Sequence, residues 1–455
     1  MESDFVSTTY GPISVRFAMS VLSDLCVADG GVQTGPFGSQ LHASDYVADG
    51  TPIITVEHLG DNRIVHTNLP RVTDKDKKRL AKYTLTTGDI VFSRVGSVDR
   101  RAIVHAEEDG WLFSGRCLRV RPDQKKIDPG YLSWFFGFAG FQEHIRQIAV
   151  GATMPSLNTK ILSDVPIYYP PSIAEQQAIA SILGAFDDKI ELNRRMDRTL
   201  EEMARTIFKS WFIDFDPVHA KANGRDTGLP TEIAALFPDS FENSELGEIP
   251  KGWSTASFTD SIEVIGGGTP KRSRSEYWGG SIPWFSVVDT PADGEVFAIS
   301  TKQTVTQLGI DNSSARILPV GTTIISARGT VGNLALVGVP MAMNQSCYGL
   351  RDQRNLKGYF LYFATEAVVD TLRQRGHGSV FNTITRDTLH SLRVASPPDK
   401  VASAFERVVQ SLMLRLLVSQ QESRALAALR DTLLPKLISG ELRVPDAERV
   451  AGRVL

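Results

Sequence analysis

The run Leu85-Thr86-Thr87-Gly88-Asp89-Ile90-Val91-Phe92-Ser93-Arg94-Val95-Gly96 returns in the second half of the chain as Leu318-Pro319-Val320-Gly321-Thr322-Thr323-Ile324-Ile325-Ser326-Ala327-Arg328-Gly329. Cys117 is then answered by Cys347, Leu157-Asn158-Thr159 by Phe381-Asn382-Thr383, and Pro170-Pro171 by Pro397-Pro398. Short matches that keep their order along the chain indicate a duplicated unit, with loop insertions between equivalent elements. The 455 residues, 42 % of them hydrophobic, suffice for two such units with a core in each.

Within each unit, short β-rich runs such as Pro52-Ile53-Ile54-Thr55-Val56 and Ile282-Pro283-Trp284-Phe285-Ser286-Val287-Val288 are punctuated by Gly and Pro, predicting a mixed α/β (α+β) globule. After each Pro-Pro the pattern changes to a long helix. Ile179, Phe186, Asn193, Leu200 and Ile207 stand seven apart, with Ile182, Leu183, Ile190, Met196, Met203 and Trp211 beside them. The second series is Phe405, Leu412, Ser419, Leu426 and Leu433, flanked by Val408, Val409, Leu416, Leu429 and Leu437. Each series has a polar third member. If the helices pair antiparallel, Asn193 is expected to face Ser419, unless both simply face water.

These features predict a pseudo-twofold chain in which two similar globules are separated by an antiparallel coiled coil. The boundaries are a first globule over 1–172, a first long helix over 173–215, an acidic linker over 216–250, a second globule over 251–398, a second long helix over 399–442 and a tail over 443–455. The linker holds seven acidic residues against two basic ones. Tyr131 to Phe141 is an apolar stretch well short of the ~18 residues of a membrane span, and Met1-Glu2-Ser3-Asp4 lacks a basic leader. Three scattered cysteines offer neither a disulfide framework nor a zinc knuckle, so a reducing cytoplasm is the expected setting.

Catalytic patterns fail one by one. Gly266-Gly267-Gly268-Thr269-Pro270-Lys271 is no phosphate cradle, because its proline removes an amide donor. Phe135-Phe136-Gly137-Phe138-Ala139-Gly140 follows an apolar helix and reads as core. Ser396-Pro397-Pro398-Asp399 lacks the aromatic that stacks on a flipped base in amino-methyltransferases, and reads as helix punctuation. No His-Glu-x-x-His pair occurs, no metal site is expected, and Asp187-Asp188-Lys189 reads as a solvated helix face. No catalytic residue is assigned. With a net charge of -3 the chain is no general nucleic-acid coat, although basic groups clustered on one face remain compatible with groove reading.

Four features together resemble the specificity subunits of type I restriction-modification systems, over nearly the whole chain. They are the duplicated unit with a long helix after each globule; Glu175-Gln176-Gln177-Ala178-Ile179 leading to Leu183, Asp187 and Ile190; Leu246-Gly247-Glu248-Ile249-Pro250-Lys251-Gly252-Trp253; and Leu429-Arg430-Asp431-Thr432-Leu433-Leu434-Pro435-Lys436-Leu437-Ile438-Ser439-Gly440-Glu441-Leu442. The resemblance implies a non-catalytic chain with two target-recognition domains, each reading one half of a bipartite double-stranded DNA target. The helices would set the spacer and dock methyltransferase subunits, two of them, with restriction/translocase subunits joining through the complex. S-adenosylmethionine, ATP and Mg would sit on those partners, with no cofactor in this chain. Two departures stand out. The Gly-Glu-Ile-Pro-Lys-Gly-Trp lead-in has no evident counterpart before the first globule, which reads as starting near Val21-Leu22-Ser23-Asp24-Leu25. Asp399-Lys400-Val401-Ala402 replaces Glu-Gln-Gln in the second helix, which predicts unequal docking surfaces.

Half-site reading needs Arg, Lys, Asn and Gln on loops that reach base edges. In the first unit the candidates are Gln40, after the loop Gly35-Pro36-Phe37-Gly38-Ser39, with Arg94, Arg100 and Arg101 around Gly96. In the second they are Lys271, Arg272 and Arg274, followed by Arg328 and Asn344-Gln345. The rival readings are a helical scaffold whose globules bind proteins, and a stand-alone DNA methyltransferase or nuclease.

Overall fold

A computed structural model describes residues 4–36, 38, 40–151, 153–292, 294–353, 358–375 and 383–453. Phe37, Ser39 and the Phe381-Asn382 pair of the repeat lie outside the described residues. The chain divides into two units, Met1–Lys189 with Ala425–Leu455, and Ile190–Arg424. Both are mixed α/β.

In the first unit an antiparallel sheet runs in the order Val32–Thr34, Cys117–Val120, Ile90–Ser93, Arg101–Ile103. A second small sheet centres on Thr51–Ile54, antiparallel to Arg71–Val72 and parallel to Leu112–Phe113. Ala18–Val21 pairs with Pro166–Tyr169. The second unit repeats this plan. Ile262–Gly266, Cys347–Asp352, Thr323–Ser326 and Leu334–Val337 follow in the same order, Trp278–Phe285 lies between Thr304–Val305 and Ala342–Met343, and Ser254–Ser257 pairs with Arg393–Ser396. The strands are rich in β-branched and aromatic residues and bury Ile53, Val91, Phe113 and Cys117 in one core, Ile265, Phe285, Ile324 and Cys347 in another. Tyr131, Leu132, Trp134, Phe135 and Phe136 are core residues of the helix Pro129–Gly137.

The lead-in missing from the N-terminal sequence is present in the backbone. Phe241–Ser244 and Gly247–Pro250 form a hairpin, and so do Phe5–Thr8 and Gly11–Ser14. Gly11 and Gly247 both take a positive φ (100° and 94°) that other residues rarely adopt. The Thr8 hydroxyl donates to the Gly11 carbonyl at 2.7 Å and the Ser244 hydroxyl to the Gly247 carbonyl at 2.8 Å. Ile13 and Ile249 are buried beneath them. Gly11-Pro12-Ile13-Ser14 therefore stands for Gly247-Glu248-Ile249-Pro250, and the first unit starts well before Val21.

The long helices are Ile173–Phe212 and Asp399–Ser439, each ending three residues short of its expected limit. Phe215 adopts a left-handed backbone after the first (φ 53°) and Gly440 after the second (φ 76°). The 216–250 stretch is not an open linker: it holds the helices Asp216–Ala222 and Thr231–Ala234 besides the hairpin, and Val218, Phe237 and Ile249 join the second unit's helical core. The tail likewise contains a helix, Val444–Ala451, with Ala447 and Ala451 buried.

Within the second unit the helices run antiparallel, with Asn193 against Ser423 and Phe208, Trp211 and Phe212 around Phe405. Ile179, Phe186, Phe405, Leu426 and Leu433 are buried as the sevens require, whereas Leu200, Ile207 and Leu412 are only partly buried. From residue 201 onward the buried face moves to Glu201, Ala204, Phe208 and Trp211, and Met203 is 48 % exposed. A helix of 3.6 residues per turn drifts off a strict repeat of seven, and the aromatic cluster follows the drift. Asn193 and Ser419 are both buried, yet they do not face one another. Asn193 Nδ2 donates to Glu422 Oε2 (3.0 Å) and to Ser423 Oγ (3.2 Å), and Ser419 lies beside Asp197. The two series are four residues out of register, because equal rank in each series does not mark the centre of the pairing.

Asp187 also differs from expectation. It is 7 % exposed in the first unit and paired with Arg430, which is itself buried beside Asp61 and over the Trp134 ring. Burial raises the Asp187 carboxyl pKa against the pull of Arg430. Gln176 of the Glu-Gln-Gln motif turns inward, accepting from the Asp128 amide (2.8 Å) and donating to the Pro170 carbonyl (2.8 Å). In the second unit Glu406 takes over this task, accepting from the Phe360 amide at 2.8 Å.

Candidate nucleic-acid interface

The loop after the first strand of each main sheet is held against its neighbour by a glycine. A Cβ at Gly35 would collide with the Ser114 carbonyl, and one at Gly267 with the Asn344 carbonyl. These close approaches bring three turns of each unit together. In the second unit, the Gly268 amide donates to the Met343 carbonyl (2.9 Å), and the Ala327 and Arg328 amides both donate to the Ser346 carbonyl (2.7 and 3.2 Å). The Thr269 hydroxyl donates to Gln345 Oε1. Lys271, Arg272, Arg274, Arg328 and Gln345 are exposed there. Asn344 is half-buried and spends its Oδ1 on the Ser346 amide (3.0 Å), so it shapes the turn.

Among the basic candidates of this loop, Arg274 is 3.5 Å from Glu276. Arg272 lies over the Trp278 and Trp284 rings, 4.8 and 5.5 Å from their centroids, and donates to Gln303 Oε1 at 3.3 Å.

In the first unit the corresponding turns border an open cleft of about 620 Å³ lined by Pro36, Tyr46, Glu57, Asn68 and Arg116. The Gln40 Oε1 accepts from the Tyr83 hydroxyl at 2.7 Å. The Arg94 amide donates to the Arg116 carbonyl (2.8 Å) and its guanidinium to the Gly115 carbonyl (3.2 Å), which keeps it half-buried. Arg100 is exposed and donates to the Leu59 carbonyl. Arg101 does not join this surface. It is 4 % exposed, donates to the Ser133 carbonyl at 3.1 Å, lies 3.8 Å from Asp61, and burial lowers its pKa. Arg101 opens the strand Arg101–Ile103 with its side chain in the core, whereas Arg100 still belongs to the preceding turn, its amide bonded to the Ser97 carbonyl at 3.1 Å.

Sequence reasoning passed over Arg116, an exposed residue one place before Cys117. The Cys117/Cys347 match sets Arg116 opposite Ser346 and next to the counterpart of Gln345, a signal already available in the repeat. His66, Glu107 and Glu108 are brought within 4.8 Å. Their arrangement is accounted for locally: Glu108 accepts from His66 (2.8 Å) and from the His105 amide (2.7 Å), and His66 packs on Trp111.

Two repeated modules thus each gather Arg, Lys or Gln side chains on clustered turns at one end of a sheet, the residue types that contact base edges and phosphates in nucleic-acid readers. The family model of the type I restriction modification DNA specificity domain matches residues 22–202 and again 250–413, and the chain belongs to that family. It is 26 % identical over 441 residues to the type I restriction enzyme HindI specificity subunit of Haemophilus influenzae, covering 86 % of this chain and 95 % of that one. It is 24 % identical over 452 residues to the MjaIX specificity subunit of Methanocaldococcus jannaschii, covering 98 % of each. The S subunit of a type I restriction-modification system from M. genitalium shares the fold, with a TM-score of 0.56 at 15 % identity over 92 % of this chain and 96 % of that one. The chain is thus a DNA specificity subunit, and neither the scaffold nor the stand-alone enzyme reading is favoured. Among the described residues no helix is long and apolar enough to cross a membrane.

Proposed function

We propose that each unit reads one half of a split duplex target, and that the chain performs this recognition without catalytic groups of its own. The observation that carries the reading is the double match of the DNA specificity domain, once over each set of clustered turns. Methyl transfer and cleavage then belong to partner chains, which bring S-adenosylmethionine, ATP and Mg, in the cytoplasm where the DNA lies. A pair of methyltransferase subunits docks on the long helices, with restriction/translocase subunits joining through them. Leu414 and Val418, 46 % and 51 % exposed and one turn apart on the second helix, support such docking, since neighbouring apolar side chains on a helix surface gain from being covered.

The test is a selection from random duplex DNA by the chain with and without its methyltransferase partner. Two short defined stretches separated by an unspecified gap are expected from the complex. The isolated chain should bind more weakly and less selectively, because a net charge of -3 supplies little attraction to phosphate. A single contiguous target, or equal selectivity in both cases, would overturn the reading.

A further inference from the structure

The glycine-anchored loop is a place where two units of similar backbone differ in chemistry. Five residues after Gly35 stands Gln40, and five after Gly267 stands Arg272. Beside them the contrast is larger. Trp278 pairs with Val305 as Val47 pairs with Arg71, and Trp284 with Ala342 as Ile53 with Leu112, so two indoles replace two aliphatic side chains.

Both indoles are fastened to the loop they support. Trp284 Nε1 donates to the Gly268 carbonyl at 3.0 Å and Trp278 Nε1 to the Lys271 carbonyl at 3.3 Å, and the rings meet edge to face at 5.0 Å. The Arg272 guanidinium lies over this pair and, among the described residues, donates to one side-chain acceptor, the neutral Gln303 Oε1 at 3.3 Å. A guanidinium has five N–H donors in a fixed plane, so most remain for a ligand. Arg274 has Glu276 for company, and Lys271 carries a point charge without the planar fork.

We propose that Arg272 is the specificity-determining residue of the second half-site and that it reads a guanine, through the O6 and N7 acceptors of its major-groove edge. This rests on the DNA-reading function above. A guanidinium whose orientation is fixed before contact loses little freedom on binding, and its two parallel donors match those two acceptors and no other base's pair. At the place five residues after the anchoring glycine of the first unit, the Gln40 carboxamide is held instead by the Tyr83 hydroxyl at 2.7 Å, so the two halves differ in the base demanded there.

The experiment compares Arg272→Ala, Arg272→Lys and the unsubstituted chain, each with its methyltransferase partner, by selection from random DNA and by salt-dependent affinity. Arg272→Ala should lose preference for guanine at a single position of one half-site, on the order of ten- to hundredfold, with every base of the other half retained as the control for folding. Arg272→Lys should keep the salt dependence and retain only part of the guanine preference, because an ammonium reaches the same acceptors without the planar fork. Weakening that is uniform over all sequences, with the guanine preference intact in Arg272→Ala, would mark Arg272 as a phosphate contact and overturn the assignment. An unsubstituted complex that selects no bipartite target would instead defeat the DNA reading itself.

Discussion

Burial decides the role of single residues here more than residue type does. Asp197 is 2 % exposed, and burial lifts its carboxyl from the usual range near 4 up to about 6, with Ser419 and Arg415 opposing the shift and Glu295 adding to it. A carboxyl whose folded pKa lies above its unfolded value destabilises the fold once it is ionised. Stability is therefore lowest above pH 6 and is regained as pH falls through 6 toward 4. Unfolding by urea at pH 7 and pH 5 should show the natural chain gaining roughly 1 kcal/mol on acidification relative to Asp197→Asn, which cannot ionise; equal pH responses would place the charge elsewhere. None of this was legible in the sequence, where Asp197 reads as one more acidic helix residue. The Arg100–Arg101 pair shows the same limit: adjacent and identical in type, one is exposed and the other buried, and only the strand beginning at Arg101 separates them.

At the level of elements, the duplication, the strand runs and both long helices were readable, because each rests on periodicity or on ordered matches. The helical seam was readable only in part. Its first half keeps the sevens, and its second follows the natural turn of the helix, so a rule of strict sevens assigns Met203 inward where it is 48 % exposed. Replacing Phe405, fully buried among Phe208, Phe212 and Phe363, by Ala should cost about 3–5 kcal/mol, while Met203→Ala should stay within about 0.5 kcal/mol. Thermal denaturation of the two variants distinguishes the drifted seam from the strict one, which would make both costly. The N-terminal hairpin escaped the sequence for a different reason: its geometry is set by one glycine and a buried isoleucine, and the other residues of Gly-Glu-Ile-Pro-Lys-Gly-Trp are free to vary.

On the scale of the whole molecule, each long helix contributes one segment to both units. If these helices set the distance between half-sites, their length is part of the specificity. Inserting four residues into each helix, after Lys189 and after Arg424, lengthens the pair by about 6 Å at ~1.5 Å per residue. At ~3.4 Å per base pair the preferred spacer should grow by one or two base pairs, with the bases of both halves unchanged. An unchanged spacer at normal affinity, read by selection from random DNA, would end the ruler interpretation. The first unit also has an order of assembly built into it, since Asp187 and Arg430, which meet inside it, are 243 residues apart. At about 5–20 residues per second, a ribosome makes the later partner roughly 12–50 s after the earlier one. Throughout that interval Asp187 awaits the segment that pairs with it, whereas the second unit is one continuous stretch, Ile190–Arg424, and has its whole chain once Arg424 is made. The part of the protein synthesised first is therefore completed last, and a nascent chain stalled before Ala425 would expose the very face on which a chaperone could act.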